Sequence, residues 1–347
     1  MAFRRSSILL GVLGVVLIAL AATVRPVIAS WATRLPGDTD TTMKYTGTAS
    51  LLDNKALAAG DVEHVLVSDV PATVNRRVHV AQTQGDKALV ADDTTVYVGG
   101  TKLPSSYKYA VDRGSLQATS APADWAGIQP AKGLTVSFPT APRADDSYLY
   151  FDPMTQSTAR VDFKGKEHVR GRDVNNYRMT VTGALKEKAT LDTLPPALPK
   201  SLAVSLLPLL PPASAAQIRR NSATLPDPVP LFYTASTTID MSVDRKSGIV
   251  IDARFRQQLT ANATTAAKPT PLLPVFALDA SATPASQRDL ADKASSVGTQ
   301  LLVLKTVTPL ALLGVGLPLL TIAVLRRRRP TAAPDTVAKE PAETAAG

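Results

Sequence analysis

Two apolar runs bracket the chain and set its expected layout. Ile8 to Val24 is uncharged throughout, follows Arg4 and Arg5, and stops at Arg25 and Pro26. Thr306 to Leu325 is uncharged as well and is closed by Arg326, Arg327, Arg328 and Arg329. Twenty residues of helix reach about 30 Å, the thickness of a bilayer core. Arginines beside a span are retained on the cytoplasmic side, so both termini are expected inside and the intervening chain outside. The expected divisions are a cytoplasmic start over 1–7, a transmembrane helix over 8–28, an extracytoplasmic domain over 29–300, a second transmembrane helix over 301–325, and a cytoplasmic basic stop with a disordered tail over 326–347. Ala19, Ala21 and Ala22 also fit the small-residue end of a cleaved signal peptide. The apolar continuation through Val27, Ile28 and Trp31, with Arg25 free to snorkel, favours an uncleaved anchor.

Between the runs the pattern changes to period two, the mark of half-buried strands. Val62 to Val70 leads to Pro71; beyond it Val74, Val78 and Val80 share one face, with Arg77 and His79 on the other. Gly85–Asp86 and Asp92–Asp93 are expected turns, Thr94 to Val98 a strand ending at Gly99–Gly100, and Leu134 to Phe138 another short strand. Two hairpins stand out. Tyr148 to Phe151 enters the turn Asp152 to Gln156 and returns through Ala159, Val161 and Phe163. Tyr233, Ala235, Thr237, Ile239, Met241 and Val243 share a face, enter the turn Asp244 to Gly248, and return as Ile249, Ile251, Ala253 and Phe255. In each turn the leading Asp can cap backbone N–H groups, and Gly248 suits a positive φ. The fold class is therefore mainly β (α+β), layered sheets or a curved half-barrel, flanked by N- and C-terminal transmembrane helices.

A proline- and leucine-rich insertion over 191–230 interrupts the strands. Pro199 to Leu210 predicts a short helix bent at Pro208, either packed on the sheet or forming an apolar lip at a lipid-sized opening. Ala285 to Gln300 predicts a second helix, whose Asp, Lys and Ser content suits a solvated stalk before the last span.

Composition then narrows the chemistry. The net charge is +9, with much of the excess in the terminal arginines, and no basic stripe with interleaved aromatics points to nucleic acid. Absence of cysteine removes disulfides, thiol catalysis and iron–sulfur clusters. His64, His79 and His168 stand apart, which predicts no metal site, and no Gly-x-Ser-x-Gly elbow is present. Asp92–Asp93 and Asp145–Asp146 read as capping carboxylates. Lys305, early in the last apolar stretch, is expected to snorkel to headgroups. The expectation is a protein that is not an enzyme and takes no cofactor. Candidate ligand-binding residues are Tyr233, Ile239, Met241, Ile251 and Phe255 as walls, with Leu202, Leu206 and Leu210 at the mouth. A closed core built from the same side chains is the competing account.

Several motifs occur together in order: the Arg-led first run, Thr42 to Asp53 (TMKYTGTASLLD), the Tyr150 to Thr155 turn, Tyr233 to Ser236, Val243 to Val250, and the arginine-closed last run. This set resembles the actinobacterial two-span membrane proteins of the porin PorA family, with Arg245 and Ser247 standing where that family's second turn usually has proline and threonine. The resemblance implies a β-rich domain on two spans and, through members linked to lipomannan and lipoarabinomannan maturation, a role in envelope lipoglycan biogenesis. Binding or handing on a lipid or lipid-linked glycan is the leading expectation. A scaffold for envelope glycosyltransferases and an oligomeric porin-like channel are the alternatives.

Overall fold

The computed structural model describes residues 2–23, 32–265 and 268–327. The chain divides into two compact units, Thr33–Gln300 on one side and the ends Met1–Ala32 and Leu301–Gly347 on the other.

The first unit is built on one antiparallel sheet of eleven strands: β1 (Asp40–Leu52), β2 (Leu66–Gln84), β3 (Lys87–Val98), β4 (Thr101–Asp112), β5 (Leu149–Asp152), β6 (Ser157–Val169), β7 (Arg172–Ala184), β8 (Ala197–Leu198), β9 (Val229–Asp244), β10 (Val250–Thr265) and β11 (Lys268–Ala282). The order is β4-β3-β2-β1-β11-β10-β9-β7-β6-β5, with the short β8 beside β9. Pairing of β1 with β11, from Tyr45 opposite Ala282 to Leu51 opposite Phe276, joins the early strands to the late ones.

Alternation along the strands gives the sheet one apolar and one polar face. Tyr233, Ala235, Met241 and Val243 of β9 are buried. The opposite face carries cross-strand polar pairs: Arg77 with Asp40, Arg254 with Asp279, and Asp240 shared by Arg178 and Arg256. Thr180 meets Thr238 and Thr182 meets Ser236 on the same face. The apolar face curls in on itself as a half-barrel. Its two edge strands approach, with the Tyr109 ring of β4 edge-on to Phe151 of β5 at 6.1 Å between centroids. The intervening segment links them through single bridges, Val111 with Ala118, Gln117 with Leu134, and Leu134 with Tyr150. Phe138 stacks on Tyr177 at 4.8 Å inside the curl, so aromatic side chains fill the interior.

Several expectations change against this architecture. The strands are long, up to the 19 residues of β2. Asp92–Asp93 is no turn, for both lie within β3, and Asp92 is buried. Pro71 does not end a strand. It lies inside β2 beside an irregular register in which Ala49 faces Val70 and Leu51 faces Val67, with Asp69 at φ 56°, and such bulges accommodate a missing N–H. Leu134 to Phe138 is an irregular segment that makes only single bridges, because Leu134 is caught between two edges. Ile251 leaves the face of Ala253 and Phe255. A bulge between Val250 and Asp252 turns it into a separate cluster with Val174, Ala291 and Ala294.

Seven α-helices are described: α1 (Ala2–Thr23), α2 (Asn54–Ala59), α3 (Lys188–Leu191), α4 (Lys200–Ser205), α5 (Pro212–Asn221), α6 (Pro284–Leu302) and α7 (Thr308–Arg327). The helix expected over 285–300 is α6, but it is docked and no free stalk. Leu290 and Ala294 are buried, and Lys293 Nζ donates to the Asp40 carbonyl at 2.7 Å and to Thr41 Oγ1 at 2.6 Å.

In the second unit α1 packs against α7. A side chain on Gly14 would stand 2.9 Å from the Gly316 carbonyl oxygen, so glycine lets the two backbones touch, as small residues do between membrane helices. A π-helical turn, Val303–Val307, containing Lys305, precedes α7. Among the described residues one helix, Pro284–Leu325, is long and apolar enough to cross a membrane, and the apolar stretch of α1 found there is the shorter Val12–Ala22. Arg4 and Arg5 lie in α1 and Arg326 and Arg327 end α7, while Arg328 and Arg329 fall outside the described residues.

Candidate functional site

Three turns share one local design, of which the sequence reading found two. Asp112, Asp152 and Asp244 each place a carboxylate over the residue three positions on. Asp112 Oδ1 accepts from Ser115 N–H at 2.7 Å and Ser115 Oγ at 2.8 Å. Asp152 Oδ2 accepts from Thr155 N–H at 2.8 Å and Oγ1 at 2.7 Å. Asp244 Oδ1 accepts from Ser247 N–H at 2.7 Å and Oγ at 2.8 Å. The next residue but zero in each case reverses the chain at positive φ: Leu116 at 56°, Gln156 at 49° and Gly248 at 77°. Burial works against the Asp244 charge, but Ser247, together with the Arg172 guanidinium at 2.9 Å, holds its carboxyl below the usual range. These are structural caps, since each carboxylate is spent on its own turn.

Inside the curl lies a polar cluster. Arg76 shares the inward face of Val74 and Val78 on β2, and its Nε and Nη2 donate to the two oxygens of Asp92 at 2.9 and 2.7 Å. The register places Asp92 opposite Val78, one inward step from Arg76. Tyr45 and Tyr150 border the pair; burial pushes both phenols up, and Arg76 partly offsets it. Burial opposes the Arg76 charge, yet Asp92 holds it protonated. The sequence carried a signal for this site: an arginine at an inward position demands a carboxylate nearby. A bidentate pair with both oxygens occupied stabilises the interior and offers no free base.

On the outer face Ser106 Oγ donates to Asp93 Oδ1 at 2.6 Å, and His79 Nδ1 lies 3.6 Å from Asp93 Oδ2. The serine contacts the carboxylate and not the imidazole, so this is no nucleophile–base pair. His64 and His168 face Asp61 and Asp173 separately. No group of three or more metal-ligating side chains is found among the described residues.

The 191–230 insertion forms a lid on one end of the sheet. After β8, α4 and a 3-10 turn at Leu207–Leu209 produce the bend expected at Pro208, and α5 completes the lid. Between lid and sheet is a cleft of about 20 Å³, lined by Leu198 and Leu206 above and Leu231, Tyr233, Leu272 and Leu273 below. That is room for about one water molecule and far less than an acyl chain needs. The Tyr233 hydroxyl donates to the carbonyl of Pro195, also in the lining, at 2.6 Å, and burial pushes its pKa up to about 12.

Of the sequence-predicted ligand residues, the structure gathers Leu202, Leu206 and Leu210 in the lid cluster, with Tyr233 beneath. Ile239, Met241 and Phe255 belong to the main interior, and Ile251 packs under α6. Sequence reasoning missed Leu272 and Leu273, which form the cleft floor. Both are buried although adjacent, because the β10–β11 register is irregular around Thr260 and Asn262. Their position between Pro271 and Pro274 was the available signal.

A curled, lidded sheet domain carried between apolar helical segments defines the class of protein. The family model "Porin PorA" matches residues 6–325, and the chain belongs to that family. No curated protein matches the chain. Among solved structures, an inactive-mutant complex of the CurJ dehydratase aligns at 8% identity and a TM-score of 0.13, over 71% of this chain and 78% of that one, a likeness that carries no argument.

Proposed function

We propose that the protein is a non-enzymatic, membrane-anchored envelope protein whose β domain takes the acyl part of a lipid or lipid-linked glycan beneath the lid and hands it on. The observation that carries this reading is the cleft itself, an apolar seam between sheet and lid. Its lining is what an acyl chain requires, and the polar links from lid to sheet include Leu231 N–H to the Pro196 carbonyl at 2.9 Å and the Tyr233–Pro195 bond. At about 20 Å³ the seam has no room for an acyl chain, so lipid entry needs the lid to rise. In this reading α1 is a second span beside α7, both termini are cytoplasmic, and the sheet domain is extracytoplasmic.

The family's name supports a channel as the second reading. Strands that face lipid need an apolar outward band. Here that face carries the Arg178–Asp240–Arg256 and Arg254–Asp279 pairs, so conduction would fall to the helices of several assembled copies.

A lipid with a diazirine on its acyl chain, added to the full chain in vesicles and mapped by mass spectrometry, tests the leading reading. Adducts are expected within Leu198–Leu210 and Leu272–Val275. Adducts confined to α1 and α7 would remove the carrier role and leave a scaffold.

A further inference from the structure

At one end of the sheet, three turns bring together four exposed basic side chains: Arg143, Arg170, Arg245 and Lys246. Backbone bonds fix the turns to one another. Arg245 N–H donates to the Asp173 carbonyl at 3.0 Å, Ala141 N–H to the Lys246 carbonyl at 3.1 Å, and the Tyr177 hydroxyl to the Arg143 carbonyl. Each neighbouring carboxylate has a hydrogen-bond partner outside this group of four. Asp244 is paired with Arg172 at 2.9 Å and Asp173 with His168 at 3.1 Å. Glu167 accepts from Asn176 at 2.7 Å, Asp146 from Phe163 N–H at 2.6 Å, and Asp145 from Ser147 N–H at 3.0 Å. Arg170 meets only the neutral Gln287 Oε1, at 3.1 and 2.9 Å. Among the described residues no direct ion pair ties any of the four to a carboxylate, although Asp145 acts at longer range on Arg143, and Asp173 on Arg245 and Lys246.

This is also the end from which the chain leaves for its apolar segments. Leu35 N–H is bonded to the Arg113 carbonyl just past β4, at the same end of the sheet. Gly298 lies against Arg172 and Lys246, where an added Cβ would stand 3.1 Å from the former and 3.7 Å from the latter. Three residues beyond Gly298, at Leu301, the expected last span begins. Basic groups beside a span meet the negative surface of a bilayer, and guanidinium matches phosphate oxygens in a fork. We propose that Arg143, Arg170, Arg245 and Lys246 form a docking surface for the headgroups of anionic phospholipids and seat the sheet domain on its own membrane. The inference rests on the membrane anchorage proposed above and is independent of the lid cleft.

The cysteine-free chain allows a direct test. Ala144→Cys, exposed beside Arg143, accepts a single fluorescent donor on the full chain, and a headgroup-labelled lipid serves as acceptor. Energy transfer should rise about twofold when phosphatidylcholine vesicles contain about one third phosphatidylglycerol, and fall back in salt near 1 M. R245E/K246E should abolish the rise and the milder R245Q/K246Q should reduce it, while K102E, at the opposite end of the sheet, should leave it intact. Equal transfer in neutral and anionic vesicles, or an undiminished rise in both double variants, would overturn the docking surface alone. Failure of the chain to float with vesicles would overturn the anchorage and the docking together.

Discussion

Gly248 shows how much one position can carry. Its φ of 77° is a conformation that residues with a Cβ avoid, and a Cβ there would also lie 2.5 Å from the Phe138 carbonyl oxygen. Gly100 has a similar φ of 79° but open space around it, so the pair separates backbone strain from crowding. Gly100→Ala is expected to cost about 1 kcal/mol from strain alone. Gly248→Ala should cost at least about 2 kcal/mol more, since the irregular Phe138–Pro139 backbone must move. Denaturant unfolding of both variants in micelles measures the difference, and equal losses would show that the close approach is harmless. The sequence reading reached the positive φ at Gly248 but not the approach of Phe138, which lies more than a hundred positions away.

At the scale of elements, a largely buried charge pair links β2 to β3 on their inward face. Arg76 and Asp92 occupy inward positions of adjacent strands, with side chains 26% and 11% exposed. Removing one partner leaves the other uncompensated. Arg76→Leu or Asp92→Leu alone should destabilise by about 3 kcal/mol, and the double substitution should recover most of that loss. A double-mutant cycle by chemical denaturation decides it; additive losses would mean that the two groups act independently. A second element-level lesson lies in α6. Its composition suggested a solvated rod, yet Leu290, Ala291 and Ala294 form a buried stripe against the strands, a face that average polarity conceals.

For the whole molecule, the order of apolar runs and sheet domain along the chain predicts a topology. Alkaline phosphatase fused after Lys200 should be active and the same reporter after Gly347 inactive, if the rule that retains arginines beside a span on the cytoplasmic side applies to Arg326 to Arg329. Activity at both fusions would reverse the orientation of the C-terminal span. The contact of Gly14 with Gly316 pairs α1 with α7, an association the sequence reading did not anticipate because the two glycines are three hundred residues apart.

The sequence by itself determined whatever depends on neighbours along the chain. The apolar runs, the period-two strands, the Asp-led turns, the bend at Pro208 and the helix near 285–300 are all local, since hydrophobic spacing and capping act within a few residues. The tertiary structure decided what depends on distant partners. It placed Asp92 not in an expected turn but in a buried strand, where Arg76 lies one inward step away on β2, and sent Ile251 to a different cluster through one bulge. It gathered Leu206 and Tyr233 with Leu272 and Leu273, residues no window of sequence brings together. Curling of the sheet, which sets all three, is a sum of strand twists and registers over the whole domain, and no short stretch of sequence contains it.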